Sequence, residues 1–517
     1  MESRTIRYGV TAFAALLLAL GGSASSQAQP HDMGPRPADP GDGQSLPGLP
    51  VPLQKLFAAG QEEFKKRDQV VEDGLGPRMN LDSCRGCHSQ PAIGGSSPAL
   101  SSTPPCKDDE PCNQLSFLKE LQKNPNNTNK QPSFIFAGGP TREARFKQIM
   151  DPISGLIGAD GGVHDLFTIA GMKGAESCKL DQPDFEAELR RNNVIFRIPT
   201  PTFGAGLIEQ IPDTEIVNNI NKDADEKDRL GIGRKVNVVL SGGARTIENV
   251  NTITEHPKPN KNGNDGTIAR FGWKAQNKSL LIFSGEAYNV EMGISNELFQ
   301  TEREEDQNCQ FKPAPNDATN PEKDKLEILS DIEKFASFMR LLAPPVPSTD
   351  NPGGAVSIAN GRKVFEKVGC HLCHTQMLHT TKFKDCDKSA IPQLCGQPVN
   401  LFSDLALHHM GAKLDDGIAQ GQAEHDEFRT APLWGLGKRI FFLHDGRTKD
   451  LVQAIEEHRS RDTRSLRCRI LSFFGLSRLC GPDDGTVASE ANAIVDKYNG
   501  LQDDRDKQDL LNFLRSL

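Results

Sequence analysis

Apolar positions recur at helical spacing in two parts of the chain that echo each other. Leu53, Leu56, Phe57, Gly60 and Phe64 share one helical face, which predicts an amphipathic helix from about Pro52 onward. The Gly-x-x-x-Phe pattern returns at Gly361 to Phe365. A second echo aligns Lys334, Phe338, Arg340 and Leu342 with Asp509, Phe513, Arg515 and Leu517, predicting two equivalent closing helices. A third aligns Arg197-Ile-Pro-Thr-Pro-Thr-Phe-Gly-Ala-Gly206 with Arg429-Thr-Ala-Pro-Leu-Trp-Gly-Leu-Gly437. Pro and Gly at that density stop regular structure, so each is expected to be a loop.

Each leading helix is followed by a Cys-x-x-Cys-His string: Cys84-Arg-Gly-Cys87-His88 and Cys370-His-Leu-Cys373-His374. Two thiols at this spacing close onto the two vinyl groups of a porphyrin, and the adjoining imidazole binds its iron. A short-loop disulfide explains neither the His nor the repetition. A zinc site would want a second Cys or His pair beside each motif, and none is there. The expectation is two covalently bound haem c groups, held by Cys84, Cys87, Cys370 and Cys373, with His88 and His374 as proximal ligands.

A haem needs most of its porphyrin buried, and two helices crossing beside it, one before the Cys motif and one at the end, do that economically. The fold expected is mainly α, with two cytochrome-c-like helical domains, the first enlarged by long loop insertions. The Pro-rich stretch 343–353 cannot continue a helix and sets the boundary. The domains are then residues 51–342 and 354–517, with insertions around 106–129 and 218–266. Residues 29–50, rich in Pro, Gly, Asp and Ser, are expected to be a flexible lead-in.

Residues 1–28 read as a secretory signal: Arg4 and Arg7, an apolar run from Val10 to Leu20, then Ser26-Gln-Ala28. That run is too short for a membrane span, and no later segment is long and apolar enough. The expected location is periplasmic, which agrees with covalent haem attachment and with twelve cysteines. Eight cysteines remain after the haem motifs, and close spacing favours Cys106–Cys112, Cys386–Cys395 and Cys468–Cys480, leaving Cys178 with Cys309. A net charge of −9 without a basic patch argues against nucleic acid and fits a soluble protein with a basic docking partner.

Taken together, these residues resemble the di-haem oxidoreductase family, relatives of the bacterial di-haem cytochrome c peroxidases. The resemblance spans residues 50–517. It rests on both Cys motifs, on Phe271-Gly-Trp-Lys-Ala275 followed by Glu291-Met-Gly293, and on Arg429-Thr-Ala-Pro-Leu-Trp-Gly435 followed by His444-Asp-Gly-Arg447. It implies that the first haem is the reaction site and the second relays electrons to it. It further implies that Trp273 bridges the two and that Glu291 is the distal acid. One departure stands out, because no His follows His88 until His164 to cap the first iron. For the second iron the resemblance places the sixth ligand at His458, where the peroxidases carry Met.

The chemistry of the residues adds candidates of its own. Met410 is the rival to His458, since a thioether raises the potential of an electron-transfer haem. His408 and His409 read as solvated or hydrogen-bonded. Peroxide cleavage needs a base that takes a proton from the near oxygen and returns it to the leaving one, which a carboxylate in an apolar pocket can do. Glu291 is that candidate and Glu209 the reserve, while Met292 on the first iron would instead make a closed relay. Trp273 and Trp434 are the chain's tryptophans, each suited to electron passage or to core packing. Arg197 and Arg429 are available for haem propionates. Asp223, Asp225 and Asp228 do not complete a calcium loop.

The expected function is a periplasmic oxidoreductase whose second haem takes electrons from a small donor protein, a cytochrome or cupredoxin, and whose first haem reduces a peroxide-like oxidant. The alternatives are a non-enzymatic di-haem electron carrier and a di-haem oxygenase acting on an organic substrate.

Overall fold

The computed structural model describes residues 29–100, 112–150, 157–159, 163–240, 243–247, 267–301, 306–386, 391–473, 480 and 485–517. Residues 1–28, expected to be a secretory signal, Cys106 and most of the 241–266 stretch lie outside these residues. Helix predominates but is mixed with strand: 35% is helix, with fourteen α-helices among the described residues, and 10% is strand, in small two- and three-stranded sheets. Ten of the fourteen strands among the described residues lie in the first half, between Arg78 and Ile268. A mainly helical expectation follows from the haem-flanking segments alone, which are helical as expected. No helix among the described residues is long and apolar enough to cross a membrane.

The three sequence echoes meet in space, in the same way in both halves. The Val51–Lys65 helix crosses the Asp331–Leu341 helix at Gly60, where a Cβ would meet the Lys334 carbonyl and come within 2.9 Å of the Phe338 Cβ. The Gly354–Val368 helix crosses the Asp504–Ser516 helix at Gly361, where a Cβ would meet the Asp509 carbonyl and come within 2.7 Å of the Phe513 Cβ. Only glycine allows backbones that close. Aromatic rings fill the rest: Phe64 packs on Phe338 at 4.9 Å and Phe365 on Phe513 at 5.4 Å. The Pro/Gly loops dock on the same closing helices. Gly206 sits against the Arg340 carbonyl and Gly437 against the Arg515 carbonyl.

The closing helix of the first half is fixed at its start by several acceptors. Ser330 and Glu333 form a capping box, and the Asp317 carboxylate accepts from Asp331 N at 2.8 Å and Ile332 N at 3.1 Å. Residues 29–50, expected to be flexible, instead run across both halves. Asp32 binds the buried Arg515 through two 2.6 Å contacts, Lys438 holds Asp42 at 2.6 Å, and Leu46 N donates to Leu341 O at 2.8 Å. Their composition lacks a helical pattern, and buried ion pairs hold them in place of regular structure.

One sheet of the first half and one expected insertion, around 218–266, matter for the site. A three-stranded antiparallel sheet has Glu143–Phe146 at its centre, between Val163–His164 and Val194–Arg197. Strand alternation turns Glu143 and Arg145 to one face, and Glu143 pairs with Arg197 across the ladder. The insertion leans on the other half, with Leu407 N donating to Lys235 O and Gly233 N to Glu490, both at 2.8 Å. Cys178–Cys309, Cys386–Cys395 and Cys468–Cys480 are disulfides as expected. Cys112 is also disulfide-bonded, and its expected partner Cys106 lies outside the described residues.

Candidate active site

The four cysteines of the two motifs are the free cysteines of the described residues, and each pair opens onto its own cavity. The first cavity, about 280 Å³, is lined by Cys84, Cys87 and His88 together with Phe64, Trp273, Glu291 and Met292. The second, about 240 Å³, is lined by Cys370, Cys373 and His374 together with Met410, His444 and His458.

The imidazoles of His88 and His374 are oriented alike. His88 Nδ1 lies 3.1 Å from the Gly95 carbonyl, and His374 Nδ1 lies 3.1 Å from the Phe402 carbonyl. A ring that donates through Nδ1 keeps Nε2 as the lone-pair nitrogen an iron needs. Burial pushes His88 down to about 4 against backbone hydrogen bonds at Gly95 and Thr200. It does the same to His374, with His458 adding to the effect. Both rings are therefore neutral.

Buried arginines test whether the cavities suit a group with acidic substituents. In the second cavity Arg429 and Arg439 donate only to backbone carbonyls, of Gly272 and Thr430, and of Pro432 and Trp434 respectively. Burial lowers both to about 10, with Arg439 adding to the effect on Arg429. In the first cavity Arg142 is lowered to about 10 by burial, and the Nε atoms of Arg142 and Arg145 are buried without a hydrogen-bond partner. Guanidiniums so placed call for anions in the cavities. Arg197, expected to serve here, is instead occupied by Asp416, at 3.0 and 2.6 Å, and by Gln420. With free thiols, neutral imidazoles and open arginines, the residues fit a haem in each cavity.

The Leu280–Met292 helix, started by a Ser279 cap, delivers Glu291 to the first cavity. Asn80 donates its amide to Glu291 at 2.8 Å, and Glu143 shares a hydrogen bond with it. Burial first, then the Glu143 and Asp165 carboxylates, hold the Glu291 carboxyl well above the usual range, against the Asn80 contact. Glu209 lies elsewhere. It accepts from Arg340 at 2.6 and 3.1 Å and from Leu280 N at 2.8 Å, so it anchors the helix that carries Glu291.

Trp273 lines both cavities. Its indole N–H donates to Ile198 O at 2.9 Å, and its ring stands edge-on to His444 with centroids 6.4 Å apart. Trp434 packs against the Gly204 loop. In the second cavity, His458 Nδ1 lies 2.7 Å from Ala454 O at the end of the Leu451–Glu457 helix, which leaves Nε2 as the lone-pair nitrogen. Met410 shares the lining. His408 is pinned between Glu490 at 2.6 Å and Asp404 at 3.1 Å, and His409 between Asp426 at 2.9 Å and Glu427 at 3.2 Å. Both are hydrogen-bonded, as their sequence setting suggested.

Asn80, Arg142, Glu143, Arg145 and Arg439 were not singled out from the sequence. Arg142, Glu143 and Arg145 are carried by the three-stranded sheet and its lead-in, and nothing local in the sequence ties them to either Cys motif. Compared with known families, residues 160–470 match the family described as "Di-haem oxidoreductase, putative peroxidase". The chain belongs to the di-haem oxidoreductase family. The matched span contains the second Cys motif, Trp273 and Glu291, while the first motif precedes it. No curated protein matches the chain.

Proposed function

We propose that this di-haem oxidoreductase is a periplasmic peroxidase-like enzyme built on two cytochrome-c-like units. Electrons from a small donor protein enter at the second cavity and are used at the first. The observation that carries this reading is the asymmetry of the cavities around Trp273. The second is lined by further imidazoles beside His374, His458 among them, and the first by a buried carboxyl, Glu291. An iron with two strong protein ligands is closed to substrate, and one with a single imidazole is open to it.

When bound, the haem iron supplies the redox chemistry and the coordination position for the oxidant. The chain's own residues do the rest. Cys84, Cys87, Cys370 and Cys373 form the thioether links, and the Gly95 and Phe402 carbonyls hold the proximal rings in register. Arg142 and Arg145 in one cavity, and Arg429 and Arg439 in the other, receive the propionates. Glu291, deprotonated, accepts the proton of the near peroxide oxygen at its carboxylate and returns it to the departing oxygen. Asn80 keeps that carboxylate aimed. Trp273 spans the gap between the cavities with an aromatic ring.

The test uses the mature holoprotein. Mass spectrometry is expected to find two haems added through sulfur, and electron paramagnetic resonance of the oxidised protein one high-spin iron. Peroxide is expected to drive oxidation of a reduced small cytochrome or copper protein. No such oxidation, with both irons six-coordinate in every redox state, would overturn the reading in favour of an electron carrier.

A further inference from the structure

An acidic chain carries one short segment of the opposite character. Residues 459–473 hold five arginines against a single aspartate, in a protein whose net charge is −9. Within it, the Leu466–Phe473 helix presents Leu466, Ile470 and Phe473 at i, i+4 and i+7, hence on one face. That face is open to solvent: the three side chains are 74%, 51% and 85% exposed. Cys468, on the opposite face, is buried and tied to Cys480 by a disulfide, so the helix is held with its apolar face outward.

Arg467 and Arg469 on this helix, and Arg461 shortly before it, are exposed. Arg461 and Arg467 have no carboxylate partner among the described residues, and Arg469 reaches Asp462 only at 3.8 Å. Large apolar side chains projecting in a row, flanked by exposed arginines, are the signature of a helix that lies in a lipid interface. The apolar face enters the headgroup boundary and the cations meet anionic phosphates. The three side chains project from a convex helix, which suits a soft surface that they can enter.

We propose that the Leu466–Phe473 helix docks the protein on a bilayer of anionic phospholipids. The segment's root explains what docking would achieve. His458 O accepts from Ser489, and Ser460 pairs with Ser489 and Asn492, beside Glu490 and Ala491 of the second cavity. Attachment through this helix turns the second-cavity side of the molecule toward the membrane. The proposal is independent of the peroxidase reading, since it concerns only the surface.

The experiment is sedimentation of the mature holoprotein with large vesicles of phosphatidylglycerol and phosphatidylethanolamine, or of phosphatidylcholine alone, at low and high salt. Wild type is expected to bind the anionic vesicles more than about tenfold more tightly than the neutral ones, with the preference falling in salt. Ile470→Glu with Phe473→Glu, and separately Arg467→Glu with Arg469→Glu, are each expected to lose about tenfold or more. These side chains are exposed, so unfolding temperature and haem spectra are expected to stay at wild-type values. Binding that ignores lipid charge, or that the Ile470 and Phe473 changes leave intact, would overturn the proposal. So would capture of an acidic protein by this face with no affinity for vesicles.

Discussion

Asn80 donates its side-chain amide to Glu291 at 2.8 Å and to Asp165 at 3.2 Å, joining the loop before the first Cys motif to the Leu280–Met292 helix. The contact favours the charged form of Glu291, yet burial and the Glu143 carboxylate outweigh it. Glu291 therefore keeps its proton at pH values where an ordinary carboxyl has lost it.

This fixes the first prediction. Glu291→Gln is nearly isosteric and is expected to lower peroxide turnover by about 10²- to 10⁴-fold while leaving both haem spectra unchanged. A base must be empty to accept a proton. The wild-type rate is accordingly expected to rise with pH through a midpoint above the usual carboxylate range, and the variant to lose that limb. Steady-state rates across pH measure both effects, and unchanged turnover would remove Glu291 from the mechanism.

The second prediction separates the two side chains proposed as ligand of the second iron. His458 is fixed by its 2.7 Å contact to Ala454 O and lines the same cavity as His374. His458→Leu is expected to turn the second haem from low-spin to high-spin, and Met410→Leu to leave it low-spin. Electron paramagnetic resonance distinguishes them, and the reverse pattern would assign the ligand to Met410.

What could be read from the sequence was local. The Cys motifs and the Gly60, Phe64, Gly361 and Phe365 echoes depend on spacings of a few residues, and they meet their partners in space as the echoes suggest. Partners supplied from far along the chain were out of reach. Arg197 and Arg429 look alike in sequence, but Asp416, 219 residues away, takes Arg197, and the buried Arg429 meets only carbonyls. The polar composition of residues 29–50 suggests a loose tail, because the Arg515 that binds Asp32 lies 483 residues on. Glu143 and Arg145 carry no signal of their own in the sequence; the ladder sets them on one face and both line the cavity.

The third prediction concerns the crossing of the haem-flanking helices. A methyl at Gly361 collides with the Asp509 backbone, and one at Gly60 with the Lys334 backbone. Backbone cannot rotate away as a side chain can, so the helices must separate and loosen the Phe365 and Phe513 packing. Gly361→Ala and Gly60→Ala are each expected to cost about 1–3 kcal/mol or more. Gly41→Ala, with nothing within 4 Å of its Cβ position, is expected to be near neutral. Urea denaturation of the three variants measures the difference.

The last prediction is a pH dependence of stability. Lys274 is fully buried, its ammonium 3.2 Å from Asp416, 3.8 Å from the centre of the Phe428 ring and hydrogen-bonded to the Glu424 and His425 carbonyls. Burial pushes its pKa from 10.5 down to about 8, because the loss of hydration exceeds what Asp416 restores. Between those values the unfolded chain binds a proton that the folded chain has released, so stability rises with pH across that window. Below it the charged group carries its full desolvation penalty. The gap corresponds to about 3 kcal/mol at its limit. Lys274→Met keeps the length and apolar stem, and Asp416 retains Arg197, so no carboxylate is stranded. The variant is therefore expected to lose the slope between about pH 8 and 10.5 that wild type shows in urea unfolding. Equal slopes would mean that Lys274 stays charged throughout, held by Asp416 and the Phe428 ring more strongly than burial opposes it.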